Sequence, residues 1–552
     1  MFSLSCLLKQ SRRGRTLSRA LILVLLLVYC FKATLHTLEF PNAGRYAQHI
    51  SSLQKRLDGS HATTEKYPSQ WPVGLHDRVT TIEHEAHENF TKNLENLLSL
   101  LPDQSHAHAL AGPIKGTGEE KLREVGFRAR AFKALLQAWE AIHLVPTSTN
   151  QMLIRDDIVQ MLRDNPAIAA DLHLDAASTI HTYETMRSFL TRFATRLFPW
   201  ITPYFADHMT LHAQFRHAGR GLVFTAGNDQ APYLATSIRA LRAQGCTLPI
   251  EVLYLGDEDL DEDAREALEA LPGSVVTRDL SAMVADEGWK LSGWAAKPFA
   301  ILLSSFREAI FIDADALFLR DPAVLFDDPL YRSTGALFFK DRLFMPGTEK
   351  RAWLRRILPA PVSRHARQSR MWTGESLHMQ ESGVVVVDKW RHFVALLMVT
   401  RMNGPDRDGN EAEGRVGVYD MVYGDKETFW LGWELVGDTD YAFHGGAAAV
   451  MGKAQVNRGT VVGNETAEEG RYPHFTICAP QLLHLGIDGR PLWFNGWLLP
   501  NKFSDDEHQQ PTGFEAFIPE PGTTEDGGAW KLHENNVCCL SADRVVDFSA
   551  AE

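Results

Sequence analysis

The sequence predicts an α/β domain built on a mostly parallel, mixed sheet, and three observations carry that expectation. Short, almost wholly apolar runs recur at GLVFTAG (221–227), IEVLYLG (250–256), SVVTRDL (274–280), AIFIDADALFL (309–319), GALFF (335–339) and SGVVVVDKW (382–390). Helical stretches separate several of them, as in APYLATSIRALRAQG (231–245), where Leu234, Ile238 and Leu241 share one face and Gly245 supplies a stop. Strands that are apolar on both faces and alternate with helices form sheets covered on both sides, and those are mostly parallel. Third, two carboxylates, Asp313 and Asp315, interrupt the 309–319 run. The carboxyl ends of strands in such sheets are where ligands bind.

The segments ahead of this domain are read in order. Arg12, Arg13, Arg15 and Arg19 precede the apolar run ALILVLLLVYCF at 20–31. Basic residues before an apolar run hold that end in the cytosol. Twelve residues are few for a membrane span and suit a cleaved signal peptide. No clear small-x-small cleavage site follows, however, and residues 33–38 extend the run. The expectation is a cytoplasmic tail at 1–19 and a retained signal anchor at 20–38, with the bulk of the chain lumenal. Residues 39–118 are polar and read as a stem. The six histidines from His61 to His108 repeat no ligand spacing and read as a solvated linker. Apolar residues at three-to-four spacing in KLREVGFRARAFKALLQAWEAIHL (121–144), MLIRDDIVQMLRDN (152–165) and TYETMRSFLTRFATRLFPWI (182–201) predict a helical region at 119–217. It would pack on the domain at 218–500, and residues 501–552 read as a C-terminal tail.

Composition narrows the partners. A formal charge of −13 argues against nucleic acid, which needs a basic face. The sequons at Asn89 and Asn464 fit a lumenal compartment as glycosylation acceptors. Of six cysteines, Cys6 and Cys30 fall in the tail and anchor. Cys246, Cys478, Cys538 and Cys539 remain, and four cysteines allow three pairings among which the sequence does not choose. A vicinal Cys538–Cys539 bond is strained, so Cys478 is expected to pair with one of those two. None has the CxxC spacing of a metal site.

On a strand, residues i and i+2 point to the same side. Asp313 and Asp315 would then bring two negative charges together at a strand end, a costly arrangement without a counter-charge. A hard divalent cation held by carboxylate oxygens resolves it; an exposed strand end with two solvated acids is the alternative. Lys297, in GWAAKPFAILLSSF, is a phosphate or acid partner, or else a surface lysine before Pro298. Gln380, Glu381 and Ser382 open a strand where they reach sugar hydroxyls, or simply make a polar strand entry. Asp425 and Glu427, in YGDKETFWLGWE, stand at a helix N-terminus, where capping is the other explanation. His484, in QLLHLGIDGRPLW, is a third metal ligand or a satisfied core histidine.

In that order, FIDADALFL, ESGVVVVDK, GDKETFW and HLGIDGRPLW resemble the DxD-containing nucleotide-sugar glycosyltransferases of the GT-A type. The last segment is similar to the glycogenin-like pattern in which a histidine follows the DxD as a metal ligand. ESGV looks like that group's Asn-Ser-Gly strand, with Glu381 in place of Asn. GLVFTAGNDQAPYLATSIRALRAQGCTLPIEVLYLG, KPFAILLSSFREAIFIDADALFLRDPAVLF and LLHLGIDGRPLWFNGWL resemble, more closely, the fungal Golgi α-mannosyltransferases that build α-1,3 and α-1,2 branches on mannan. The likeness covers about 218–500. It implies a GT-A-like domain, GDP-mannose as donor, Mn²⁺ as metal, retention of the α configuration and a mannose-containing N- or O-linked glycan as acceptor. It also implies a Golgi membrane protein with one N-terminal span. Asp313 and Asp315 carry over as the metal and pyrophosphate site, with His484 as third ligand. Lys297 carries over as a donor-phosphate partner, and Glu381 and Asp425 as the groups facing the donor sugar or acceptor hydroxyl. Two rivals are an aspartate-nucleophile phosphatase, against which Leu317 speaks, and a non-catalytic sugar-binding subunit of a mannan-building complex.

Overall fold

The computed structural model describes residues 89–146, 152–201, 204–456, 475–499, 512–521, 530–533 and 537–549. All lie in one compact unit, Gly74–Glu552. The tail, the anchor, most of the stem and Asn464 lie outside the described residues, and among the described residues no helix is long and apolar enough to cross a membrane. Asn89, the other sequon residue, is exposed at the start of a described helical stretch.

Helices come first, as the spacing predicts. The longest are α1 (Gly118–His143) and α2 (Ala176–Leu197). Leu122, Val125, Ala129, Phe132, Leu136, Trp139 and Ile142 make the buried stripe of α1, at the three-to-four spacing of one helix face. Asp175 caps α2, accepting from the Ser178 amide at 2.9 Å. The stem expected as far as 118 is already folded from residue 89. A helical stretch runs to residue 99, and Asp103 caps a further helix, Gln104–Ala111. Leu94, Leu97 and Leu100 are buried there.

The principal sheet has seven strands: β1 (Arg220–Thr225), β2 (Ile250–Tyr254), β3 (Val275–Asp279), β4 (Glu308–Ile312), β6 (Ala336–Lys340), β7 (Gln380–Asp388) and β8 (Ala442–Phe443). Their order is β8-β6-β7-β4-β1-β2-β3. All neighbours are parallel except β7, which runs antiparallel to both β4 and β6. The mostly parallel mixed sheet is therefore as expected. Every residue of β7 is buried, which explains its unbroken valine run. The α3 helix (Ala231–Ala243) places Leu234, Ile238 and Leu241 against one sheet face. Helices α4 (Ala296–Leu303), α5 (Phe393–Asn403) and α6 (Thr428–Leu435) are buried along their whole length. The α1 helix covers α6 from outside: a Cβ on Gly126 of α1 would come within 3.0 Å of Leu435.

A second, antiparallel sheet has the order β15 (Val546–Asp547), β13 (Ala516–Pro519), β9 (Ala448–Gly452), β11 (Leu482–Leu485), β12 (Pro491–Asn495) and β5 (Ala316–Phe318). Its edge strand β5 follows β4 after only three residues, 313–315. The Asp-Ala-Asp segment is thus the point where the chain passes from one sheet to the other. A third, four-stranded sheet centres on β10 (Phe475–Ala479) and β14 (Cys538–Ala542), joined by the disulfide Cys478–Cys539 between register partners. That is the pairing expected for Cys478; Cys246 and Cys538 are buried thiols. The C-terminal tail expected after residue 500 differs from what is found. Residues 516–519 and 546–547 complete the second sheet and 538–542 the third, because β9 would otherwise leave an open edge on its Val450 side.

Two buried histidines give the helical layer an acid lability. His143 meets the Trp139 carbonyl at 2.7 Å and the Tyr183 hydroxyl at 2.8 Å; His208 meets the Phe198 carbonyl at 3.2 Å. Burial holds both imidazoles down to about 4. Their ordinary value is near 6.5, so the unfolded chain binds more protons between those limits, and stability is lost as pH falls through that window. At pH 5 each is expected to cost about 2 kcal/mol. Urea unfolding at pH 7 and pH 5 should show a smaller drop for His143→Gln than for the wild type; identical drops would contradict the assignment.

Candidate active site

Asp313 and Asp315 lie one residue and three residues beyond the last residue of β4, in the turn to β5. They were expected on a strand, and that placement is corrected: β4 stops pairing with β7 at Ile312↔Val384, and the chain then turns toward the second sheet. The turn is pinned from both sides. The Asp313 amide donates to the Gly383 carbonyl at 2.8 Å and the Ala316 amide to the Asp313 carbonyl at 3.0 Å. The amides of Gly496 and Trp497 donate to the Asp315 carbonyl at 3.3 and 3.0 Å. Trp497 holds a φ of 58° to do so, a left-handed conformation that is uncommon for a bulky residue.

Lys297, in the first turn of α4, is buried to 3 % exposure rather than at the surface. Pro298 follows it without harm, since a first-turn amide has no intrahelical acceptor. The Lys297 Nζ lies 3.1 Å from Asp313 and 3.0 Å from Asp425 Oδ2. It also donates to the Ser382 carbonyl at 3.1 Å and hydroxyl at 3.0 Å. The Ser382 hydroxyl in turn donates to Asp425 Oδ2 at 2.8 Å. Burial alone would lower the ammonium, but Asp313 and Asp425, with Glu381, hold it above its ordinary value.

Successive residues of β7 face opposite ways. Ser382 turns to Lys297, while Glu381 turns to a separate set of partners. Glu381 Oε1 accepts from the Gly383 amide and Asn495 Nδ2, each at 2.9 Å, and Oε2 accepts from Lys426 Nζ at 2.9 Å. Burial opposes its charge, yet Lys426 outweighs it and keeps the carboxyl well below the usual range. Lys426 also donates to Asp341 at 2.8 Å. Gln380 and Glu427 serve the frame instead. Glu427 accepts from the Met379 amide at 2.8 Å and the Trp430 indole at 2.5 Å, tying the entry of β7 to α6. Burial pushes its carboxyl up to about 7.

His484 lies on β11 opposite Trp493 of β12. Its ring stacks on that indole at 4.1 Å and meets Phe339 edge-on at 5.3 Å. Burial pushes the imidazole down to about 3, against the pull of Glu381 and Asp341, so it is neutral at physiological pH. Its Nε2 is buried without a hydrogen-bond partner, as is Asn495 Oδ1 beside Glu381.

Asp313, Asp315, Asp341, Glu381 and Asp425 make five carboxylates; Lys297, Lys426 and Arg342, which lies 3.8 Å from Asp341, make three cations. With every group ionised, five minus three leaves an excess of two negative charges. At Asp313 burial, with Asp315, Asp425 and Glu381 repelling and Lys297 opposing, pushes the carboxyl up to about 7. Among the described residues no three histidine, cysteine or acidic side chains form a ready-made cation cage. Carboxylate oxygens at Asp313 and Asp315 are donors of the kind a hard divalent ion takes, and His484 carries an orphaned neutral imidazole nitrogen whose acidic neighbours are Glu381 and Asp341. Asp341, Lys426, Asn495 and Trp497 were missed in the sequence. Lys426 adjoins Asp425, and Asp341 follows β6 directly, as Asp313 follows β4; those positions were the available signals.

Residues 219–486 match the family described as "Mannosyltransferase putative". The chain is 28 % identical over 324 residues to "Putative alpha-1,3-mannosyltransferase MNN1" of Candida albicans, covering 50 % of this chain and 38 % of that protein. To Alpha-1,3-mannosyltransferase MNN1 of Saccharomyces cerevisiae it is 26 % identical over 328 residues, covering 50 % and 41 %. The chain thus spans about two fifths of the length of these relatives. Among solved structures, the galactosyltransferase LgtC with donor and acceptor sugar analogs aligns at 17 % identity over 41 % of this chain and 73 % of its own, with a TM-score of 0.28.

The Lys426 pairing predicts a stability effect independent of activity. Lys426→Met strands Glu381 and Asp341, both buried, and is expected to cost about 3–5 kcal/mol in urea unfolding. Asp341→Asn in the same chain should restore part of it. A loss below about 1 kcal/mol would mean the pair is solvated.

Proposed function

We propose that this chain, whose residues 219–486 match the mannosyltransferase family, transfers mannose from GDP-mannose to a mannoside, with a divalent metal and retention of the α configuration. The observation that carries this reading is the acidic cluster with its excess of two negative charges at the junction of β4 with β5. The junction stands at the carboxyl end of β4, beside β1, the place where open α/β sheets bind ligands. A GT-A-like nucleotide-sugar site is the arrangement it supports.

Breaking the anomeric bond builds oxocarbenium character on mannose and negative charge on the departing GDP. Asp313 and Asp315, with His484, would hold Mn²⁺, which when bound neutralises charge on the diphosphate. Lys297 supplies a fixed positive charge beside that site and holds Asp313 and Asp425 in place. Retention demands either attack from the face of the leaving group or two successive inversions, and two carboxylates stand ready for the donor sugar. Both oxygens of Glu381 are engaged and its charge is strongly stabilised, so it serves as a positioning group. The contacts of Asp425 both fall on Oδ2, which favours Asp425 as the carboxylate that faces the sugar.

The disulfide Cys478–Cys539 supports an oxidising compartment such as the Golgi lumen. The acceptor in this reading is an N- or O-linked mannose glycan, and residues 20–38 form the single membrane span. Asp315→Ala in the full chain is expected to fold and yet lose Mn²⁺-dependent transfer to methyl α-mannoside by about a hundredfold or more, with the linkage formed by the wild type read by NMR. Unchanged transfer in that variant would sink the assignment.

A further inference from the structure

Two of the most exposed large side chains among the described residues stand next to each other. Trp294 is 64 % exposed, Tyr423 is 63 % exposed, and their ring centroids are 6.4 Å apart at an interplanar angle of 37°. Isolated exposed aromatics are ordinary; an adjacent pair from separate segments forms a surface patch. Each is tied to a residue of the candidate site. Trp294 lies in the short helical turn Gly293–Ala295, three residues before Lys297. Tyr423 lies two residues before Asp425. Between Tyr423 and Asp425, Gly424 adopts φ +60°, and a Cβ there would sit 3.4 Å from the Trp294 ring. The indole therefore lies over the backbone that carries Asp425. His378 extends the patch, edge-on to Tyr423 at 6.1 Å, and its Nδ1 is buried without a hydrogen-bond partner.

We infer that Trp294 and Tyr423 form the platform on which the acceptor sugar lies, a specificity this inference adds to, and rests on, the proposed mannosyl transfer. A pyranose ring has an apolar face of C–H bonds and an edge of hydroxyls. Rigid amphipathic rings give such a face contact area at little cost in side-chain entropy. The occupant is a mannoside because each ring stands on a segment that carries a residue of the candidate site, Lys297 or Asp425, which would hold an acceptor beside the proposed mannosyl transfer.

The test uses the full chain with methyl α-mannoside and α-mannobiose as acceptors. Trp294→Ala and Tyr423→Ala are each expected to raise the acceptor KM about tenfold with kcat within about twofold. Tyr423→Phe should match the wild type. GDP affinity by calorimetry, and slow release of mannose from GDP-mannose without acceptor, should not change. An unchanged acceptor KM in both alanine variants overturns the inference. So does a loss of GDP affinity with acceptor KM intact, which would assign the platform to the nucleotide. If the wild type transfers nothing, the proposed function fails and direct titration with α-mannobiose decides the platform. Binding lost in Trp294→Ala upholds it; equal binding, or none by the wild type, overturns it.

Discussion

A buried ammonium surrounded by carboxylates organises this protein. Lys297 is buried, and its charge is sustained because Asp313, Asp425 and Ser382 converge on it. Those partners come from the β4–β5 turn, the segment before α6 and the first residues of β7. One cation therefore fixes the relative positions of three chain segments that sequence order keeps far apart. The arrangement is one-sided, because removing the charge would leave buried acids unpaired. It is also incomplete, since the cluster as a whole has more acids than bases, and burial, with the neighbouring acids, raises the Asp313 carboxyl. A site built this way is stable enough to persist and is still short of positive charge.

The second constraint is topological. The chain leaves the parallel sheet at Ile312 and enters the antiparallel one at Ala316. A turn at such a junction cannot satisfy its carbonyls within either sheet. Trp497, in its left-handed conformation, supplies the amide that Asp315 needs. Both acids are thus presented by backbone held at each end. This rigidity costs local strain at Trp497, and strain of that kind is found where a side chain must be aimed.

The sheet was legible because its signal is local. Runs such as VVVV at 384–387 have no solvated face to interrupt them, and β7 is buried on both sides. The reversed direction of β7 left no trace in composition, since antiparallel and parallel strands in a covered sheet read alike. The site was legible in part. Asp313, Lys297, Ser382 and Asp425, singled out separately in the sequence, meet around one ammonium in the structure, and Glu381 lies beside them. Asp341, Lys426 and Asn495 were passed over, because the role of each depends on tertiary approach, although Lys426 and Asn495 stand inside the segments GDKETFW and LLHLGIDGRPLWFNGWL. The strands after residue 500 were missed for a related reason: each is short, and β13 and β14 find partners in β9 and β10, far back in the chain.

The central claim is that the acids of the β4–β5 turn clamp a metal ion that in turn holds a sugar diphosphate. Calorimetric titration of the full chain with Mn²⁺ and GDP tests it without any need for turnover. The account predicts that GDP binds tightly only when Mn²⁺ is present, with one ion per chain, and that Asp313→Asn with Asp315→Asn abolishes this dependence while the chain stays folded. GDP binding that ignores Mn²⁺, or a doubly substituted chain that binds both as the wild type does, would contradict it.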